Sequence, residues 1–476
     1  MKFQTAIFVI FAIAIYRVIV IASGSIPVDI EEAYYTSWKH TLDWGYYSKP
    51  PLMPFLLWLI TSVFGESGFV IKTLSLVIHT ITALVIGYFA KELYGEKVAS
   101  LSAIIFQSLP FVGVISVVAT TDAPLVLMWA LSLWMAFKAI NTEALRYWIL
   151  LGIFGGLGML SKFTYALMPI GLLIFILLSN YRKVLLRKGI WIAAIIASLI
   201  WLPNILWMAN HEWITLIHTK DISGVEQSSL DWASFANFSL SQFAVFGPLS
   251  LSLLLILFFK SGSWDGRWWF LFASASPLML LVLMQSLQSD ANMNWATPSY
   301  VGFVVLLALW LRNSPRLAAI VFISNLTIVS AIYHYDDIAK YLDFELTDST
   351  DPFSRQRGWA ELASKTSDLL NQCSGAALLS ESREVLAQIR FQLPSDIKPD
   401  INLWNPSLEW YNQYAIHQNI NKSLGNKWLW IETAPISEGN LNRFSSYIEL
   451  GGLEAALYTN KSRKLYAYCV SDFMGY

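Results

Sequence analysis

Eleven apolar stretches, most of them about 20 residues long, fill the first 333 residues of this 476-residue chain. They cover 3–22, 68–90, 98–117, 123–140, 148–160, 163–180, 189–209, 238–259, 268–287, 297–311 and 316–333. A helix needs roughly 20 apolar residues to cross the hydrocarbon core, so the pattern predicts a polytopic α-helical membrane domain of about 11 spans. Three stretches are short: 148–160, 297–311 and 316–333. The first is not expected to be a cleaved signal peptide. Only Lys2 precedes it, Arg17 interrupts its later half, and no small-x-small site is followed by the start of a mature domain.

The distribution of charge marks where the membrane domain stops. Residues 1–333 hold 34 charged residues, whereas 334–476 hold 13 basic and 18 acidic residues in 143 positions. The chain therefore divides into a membrane domain, 1–333, with a first outer loop at 23–67, and a C-terminal domain, 334–476, of globular composition. Overall, 32 basic residues balance 33 acidic ones, which argues against nucleic acid as a partner. Two Cys argue against a disulfide-rich scaffold and a multi-Cys metal centre.

Lys and Arg choose the orientation. With the N-terminus in the cytoplasm, thirteen basic residues face that side and four (Lys39, Lys49, Lys162 and Lys220) face the other. An odd number of spans then puts the C-terminal domain outside. Eleven acidic residues fall in the outer loops, from Asp29 through Glu226 to Asp290, and four in the inner ones. The inner loops carry no GxxxxGK[ST] and no strand-borne GxGxxG, so any chemistry is expected at the outer face.

The first outer loop is the most informative stretch. Residues 29–52 read DIEEAYYTSWKHTLDWGYYSKPPL. Glu31 to Leu42 has helical spacing with Ala33, Tyr34, Trp38 and Leu42 near one face, which suggests an interfacial helix. Trp44-Gly45-Tyr46-Tyr47 makes a turn, and Pro50-Pro51 stiffens the backbone after Lys49. Residues 54–64 are too short to span and are expected along the interface. Carboxylates, a fixed cation and Tyr hydroxyls thus meet at headgroup depth. A carboxylate there can act as a general base, and a rigid Lys can bind a phosphate as a point charge. The plainer alternative is a solvated polar loop.

Other outer-face candidates are scattered. Asp122, in TTDAPL, either caps the next helix or takes part in chemistry. Lys162 stands on the outer side against the charge bias, which suggests an anionic partner, although a Lys there can simply snorkel. His211 and Glu212 open the loop 210–237, with no second His at ligand spacing, so no metal is expected. Asn294 and Trp295 close another loop; an amide and an indole suit a sugar as well as an interfacial anchor.

These motifs resemble the GT-C superfamily of polyprenyl-phosphate-sugar-dependent glycosyltransferases, and within it bacterial glycosyltransferase family 39 and the aminoarabinose transferases. The matching residues are Glu31-Glu32-Ala33-Tyr34-Tyr35, Gly45-Tyr46-Tyr47-Ser48-Lys49-Pro50-Pro51-Leu52, Thr121-Asp122-Ala123-Pro124, Leu160-Ser161-Lys162-Phe163-Thr164, Asn210-His211-Glu212-Trp213 and Asn294-Trp295-Ala296-Thr297-Pro298, in family order. Asp351-Pro352 through Arg357-Gly358-Trp359 is similar to the start of the family's outer domain. The resemblance implies an acidic catalytic set (Glu31, Glu32, Asp29, Asp122), donor-phosphate binding by Lys49 and Lys162, and substrate contacts from Tyr34, Tyr35, Tyr46, Tyr47, His211, Glu212, Asn294 and Trp295. It implies no cofactor. Two departures stand out. The family's first acidic residue is Asp where this chain has Glu31, with Asp29 two residues earlier, so the base is one or the other. The aminoarabinose branch has Glu before the phosphate-binding Lys where this chain has Ser48, which points to a different sugar or acceptor.

In the C-terminal domain, 375–380, about 400–404, 427–433 and 464–470 read as strands, and 381–393 and about 359–372 as helices. The alternation predicts a small α/β layer fold, placed by the topology on the outer side, which the resemblance implies is the periplasmic side of a bacterial inner membrane. Cys373 and Cys469 lie in this one domain on the oxidising side and are expected to pair.

Two functions fit such a chain. One is an inverting glycosyltransferase that takes a sugar from a polyprenyl-phosphate donor to a lipid, glycan or protein hydroxyl. The other is a lipid or sugar flippase. Transporters commonly show repeats and midplane sites. Here no repeat is visible and the charges gather at one face, so the transferase is favoured.

Overall fold

The structure, a computed structural model, describes residues 2–224, 230–260, 265–422 and 425–476; Glu226 lies outside them. Each of the eleven apolar stretches is helical over most of its length. Six form single helices of crossing length: Phe3–Ala22, Gly68–Tyr94, Asp122–Thr142, Lys188–Asn210, Gly266–Ser286 and Pro315–Tyr333. Two form bent pairs, and three are the shorter helices Leu145–Ser161, Phe163–Leu178 and Thr297–Leu311. The stretch at 316–333, read as short, is a full 19-residue helix because Pro315 starts it, where a missing N–H costs nothing.

The chain forms two compact units. One comprises Met1–Ser25, Trp44–Met53 and Lys72–Tyr333; the other comprises Ile26–Asp43, Pro54–Ile71 and His334–Tyr476. The first outer loop is thus shared, with Trp44–Met53 in the helical unit and its flanks in the α/β unit.

In the helical unit, close packing rests on small residues. Gly152 and Gly156, four apart on Leu145–Ser161, meet the helix Lys188–Asn210. A Cβ at either would fall within 2.8 Å of Ile196 or Ile200. Both bends have a covalent cause. Glu96–Ser108 turns by 60° into Pro110–Ser116 at Leu109, which precedes a proline and is non-helical. Trp232–Phe246 turns by 107° at Gly247, whose φ of +89° suits glycine.

Apolar surroundings leave no water for the carbonyls around the first bend, so side chains must serve them. The Arg17 Nη2 donates to Gln107 O at 2.7 Å, Ser75 Oγ to Ile115 O at 2.7 Å, Tyr333 Oη to Gly113 O at 2.5 Å, and Lys72 Nζ to Val117 O at 3.1 Å. Arg17 and Lys72 are buried. Two cations within apolar stretches, Arg17 and Lys72, therefore hold a broken helix and the loop that leads to Asp122.

The α/β unit contains a five-stranded mixed sheet: β1 (Ala377–Ser380), β2 (Ile401–Leu403), β3 (Lys427–Glu432), β4 (Phe444–Tyr458) and β5 (Lys461–Phe473), in the order β2-β1-β3-β5-β4. β1 runs parallel to β2 and β3, while β5 is antiparallel to β3 and β4. The expected helices appear as Trp359–Gln372 and Arg383–Gln392. Strand β4 was not foreseen: Gly451-Gly452 interrupts it, and Ser445–Glu449 are exposed on both faces, so the alternation that marks a half-buried strand is confined to its second half. Cys373, at the end of Trp359–Gln372, is disulfide-bonded to Cys469 on β5, with Cα atoms 5.7 Å apart.

Candidate active site

The helical unit fixes the Gly45–Pro51 loop by its backbone. Asn204 Nδ2 donates to Trp44 O at 2.7 Å, and Thr215 Oγ1 to Tyr46 O at 2.7 Å. Trp201 Nε1 donates to Asn204 Oδ1 at 3.1 Å and so fixes which end of the amide faces the loop. Gly45 lies flat on the Trp207 indole, where a Cβ would come within 2.3 Å of a ring carbon. Tyr46 is fully buried, Tyr47 packs on His218, and Tyr46 N–H closes a turn onto Lys49 O at 3.2 Å. Lys49 is half-buried and its φ/ψ is restricted by Pro50, so the cation sits on a rigid turn.

A test follows from Gly45. Gly45→Ala should cost about 1–3 kcal/mol of stability by overpacking against Trp207. Trp207→Leu in the same chain should restore part of the loss, read as Tm. A Gly45→Ala chain with unchanged Tm and activity would mean that the loop is not held there.

Asp122, Lys162 and Asn294 come from three loops far apart in sequence and meet in this unit. The Lys162 Nζ donates to Asp122 Oδ1 at 2.8 Å, and Asn294 Nδ2 donates to Asp122 Oδ2 at 2.8 Å. Asp122 is buried, and Lys162 is only 14% exposed along its side chain. Asp122 is the first residue of its helix, and its carboxylate makes no capping bond to that helix; both oxygens go to the two partners instead. Lys162 stands in extended backbone between two helical segments, and Asn294 is braced by Thr297 Oγ1, which donates to its carbonyl at 2.8 Å. Asp122 takes one of the ammonium's three donors, which leaves others for an anionic ligand.

The remaining candidates of this unit are placed less centrally. His211 stacks on Trp207 at 4.0 Å and its Nδ1 lies 2.8 Å from Trp207 O. Glu212 is exposed, and both it and Trp213 have left-handed φ (54° and 57°), a tight turn before the helix Ile214–Ser223. Trp295 is half-buried beside Asn294, its N–H bonded to Asn292 O at 3.0 Å.

In the α/β unit, the acidic start of the first loop is a helix N-terminus. Asp29 caps Ile30–Ser37: its Oδ1 accepts from Glu31 N at 2.8 Å, while Glu32 Oε2 accepts from Asp29 N at 2.8 Å, a capping box. Gln356 also donates to Asp29. Glu32 is fully buried. The Glu31 side chain is 37% exposed, and Arg383 Nη2 donates to it at 3.1 Å. Tyr34 and Tyr35 are core residues here. Both rings pack on Trp38, and Tyr34 Oη accepts from Gln413 N at 2.6 Å. Burial and the neighbouring Tyr414 raise the Tyr34 phenol above its usual range.

Sequence reasoning missed the residues that hold the loop, namely Asn204, Trp207 and Thr215, and the Arg383 partner of Glu31. Asn204 carried a signal: a polar side chain after Pro203 inside an apolar stretch is rarely idle. Arg383 lies 352 residues from Glu31, and no local pattern points to it.

Several known proteins are similar to this chain. Residues 48–207 match the family model described as dolichyl-phosphate-mannose-protein mannosyltransferase. The lipid A galacturonosyltransferase RgtD of Rhizobium johnstonii is 26% identical over 395 residues, 82% of this chain and 83% of that protein. An undecaprenyl phosphate-α-4-amino-4-deoxy-L-arabinose arabinosyl transferase of an Enterobacter species is 31% identical over 182 residues, 36% of this chain and 32% of that one. The structure of ArnT from Cupriavidus metallidurans bound to undecaprenyl phosphate superposes with a TM-score of 0.65 at 12% identity, covering 97% of each chain. The chain is a polytopic helical membrane protein with the ArnT fold. It is a membrane glycosyltransferase, similar in sequence and fold to proteins of the GT-C superfamily.

Proposed function

We propose that the chain moves one sugar from a polyprenyl-phosphate carrier to a hydroxyl of an envelope lipid at the outer face of the inner membrane. The observation that carries this reading is the Asp122–Lys162–Asn294 cluster: three residues from three separate motifs, joined by two bonds of 2.8 Å. Lys162 and Lys49 neutralise the phosphate of the donor. A carboxylate of the first outer loop takes the proton from the acceptor hydroxyl, whose oxygen bonds to the anomeric carbon as the bond from that carbon to the phosphate oxygen breaks. The carrier leaves as its phosphate, and the single displacement inverts the anomeric centre. No metal or other cofactor enters this scheme.

The relative matched along most of its length, RgtD, is named a lipid A galacturonosyltransferase. Ser48 replaces the Glu of the aminoarabinose branch. Galacturonosyl is therefore the first sugar, and lipid A the first acceptor, to test. Membranes containing the chain should consume one member of a panel of undecaprenyl-phosphate sugars and label a lipid. If none is consumed while a labelled lipid changes leaflet, the flippase reading replaces this one.

The proposed topology has eleven crossings: the six unbroken helices, the two bent pairs and the three shorter apolar helices. Leu52–Phe64 lies along the interface. The membrane domain is 1–333, and 334–476 is a periplasmic domain. A C-terminal alkaline phosphatase fusion should be active and a green fluorescent protein fusion dark; the reverse would put the acidic loops in the cytoplasm.

A further inference from the structure

The α/β unit holds a cavity of about 660 Å³ to which the transfer scheme gives no task. It lies at the amino ends of the parallel strands, where Ala377 opens β1, Ile401 opens β2 and Lys427 opens β3. Its charge runs against that of its surroundings. Residues 334–476 carry 13 basic and 18 acidic side chains. The cavity walls nevertheless bring two cations, Arg390 and Lys427, together with His40 and His417 against one carboxylate, Asp400.

The donors are held in place. Arg390 Nε donates to Pro399 O at 3.0 Å, and its Nη1 lies 2.9 Å from His40 Nε2. These contacts use two of the guanidinium's five N–H groups. His40 serves there as a neutral acceptor, because burial and then the charges of Arg390 and Lys39 bring its pKa down to about 4. Trp428 Nε1 donates to Asn402 Oδ1 at 2.9 Å, so the Asn402 NH₂ is a donor; one of its N–H groups reaches Gln418 O at 3.5 Å, and it carries a second. The cavity thus offers N–H groups and positive charge.

Ligands of parallel sheets commonly settle at the carboxyl ends of the strands. In this sheet that end is acidic. Glu432 accepts from Trp430 Nε1 at 2.9 Å and from Glu381 N at 2.6 Å, and burial raises its carboxyl pKa. An anion is disfavoured there and attracted at the amino end. The volume lies within the range of small-molecule sites and suits one or two sugar rings.

We propose that this cavity binds a saccharide that carries a phosphate or carboxylate, with Arg390, Lys427 and His417 on the anion and Asn402 on a hydroxyl. A free sugar phosphate and the headgroup of an acceptor glycolipid share this chemistry. The binding stands on the cavity alone; its use for the acceptor rests on the transferase reading.

Calorimetry on the full chain in detergent tests the binding, with glucose 6-phosphate, galacturonate, glucose and inorganic phosphate as probes. The two anionic sugars should bind at least tenfold more tightly than glucose and more tightly than inorganic phosphate. Lys427→Gln and Arg390→Gln should each weaken them at least tenfold. Lys427 is exposed, so Tm should hold in that variant. Glucose binding as tightly as glucose 6-phosphate overturns the proposal, as does unchanged affinity in both variants. Inorganic phosphate matching the sugar phosphate overturns the saccharide assignment. In a transfer assay, the variants should raise the acceptor KM severalfold and leave donor KM and kcat alone. Lost sugar binding with an unchanged acceptor KM removes the acceptor role and leaves a site for free sugar phosphates. A wild-type chain that binds anionic sugars yet transfers none counts against the transferase reading and not against the cavity.

Discussion

Asp122→Asn should lower kcat by about 10²–10³-fold and destabilise the helical unit by roughly 3–5 kcal/mol, the usual cost of removing one partner of a buried ion pair. The variant keeps the shape of the side chain, and its amide oxygen can still accept from Asn294. What it loses is the charge opposite Lys162, whose side chain is 14% exposed. The double variant Asp122→Asn/Lys162→Met separates two explanations. If the pair serves only to join two helical segments, neutralising both partners should recover Tm and most of the activity. If Lys162 holds the donor phosphate, Tm should recover while turnover stays low and donor KM rises. Full activity in the single variant would remove Asp122 from the mechanism.

The helical architecture was legible because lipid imposes a length and a composition on any spanning helix, and most of the eleven stretches carry both. Where the reading faltered, the cause was local chemistry that acts at a distance. Strand β4 was invisible because Gly451-Gly452 reads as a breaker and its first half does not alternate. The role of Lys72 and Arg17 was hidden because the carbonyls they satisfy, those of Val117 and Gln107, are 45 and 90 residues away. The candidate site shows the same divide. Asp122, Lys162 and Asn294 could each be singled out as polar residues on the wrong background, but nothing local said that they meet. Sequence left Asp29 and Glu31 as alternatives for the base, and hydrogen bonding tells them apart: Asp29 is engaged with Glu32 at a helix start, while Glu31 has a side-chain partner.

That difference makes the choice of base testable with three near-isosteric changes. Asn is as good an N-cap as Asp, so Asp29→Asn should keep Ile30–Ser37 intact. Gln serves in a capping box as Glu does, so Glu32→Gln should also fold. Glu31→Gln gives up only a partly exposed pair with Arg383, worth about 0–1 kcal/mol. All three chains should therefore melt within a few degrees of the parent, and activity then reports chemistry. A general base typically contributes 10²–10⁴-fold, so Glu31→Gln should lose about that factor in kcat with donor KM nearly unchanged, while the other two stay within severalfold. Lys49→Ala should behave differently, raising donor KM as well as slowing turnover, because phosphate is charged both before and after transfer. Lys49→Arg should recover part of the loss, since the guanidinium keeps the charge and changes the shape. A large loss in Asp29→Asn beside a normal Glu31→Gln moves the base to Asp29 and makes the N-cap a catalytic residue. Normal kcat in all three carboxylate variants removes the first loop from proton transfer and leaves Asp122 as the remaining carboxylate to test.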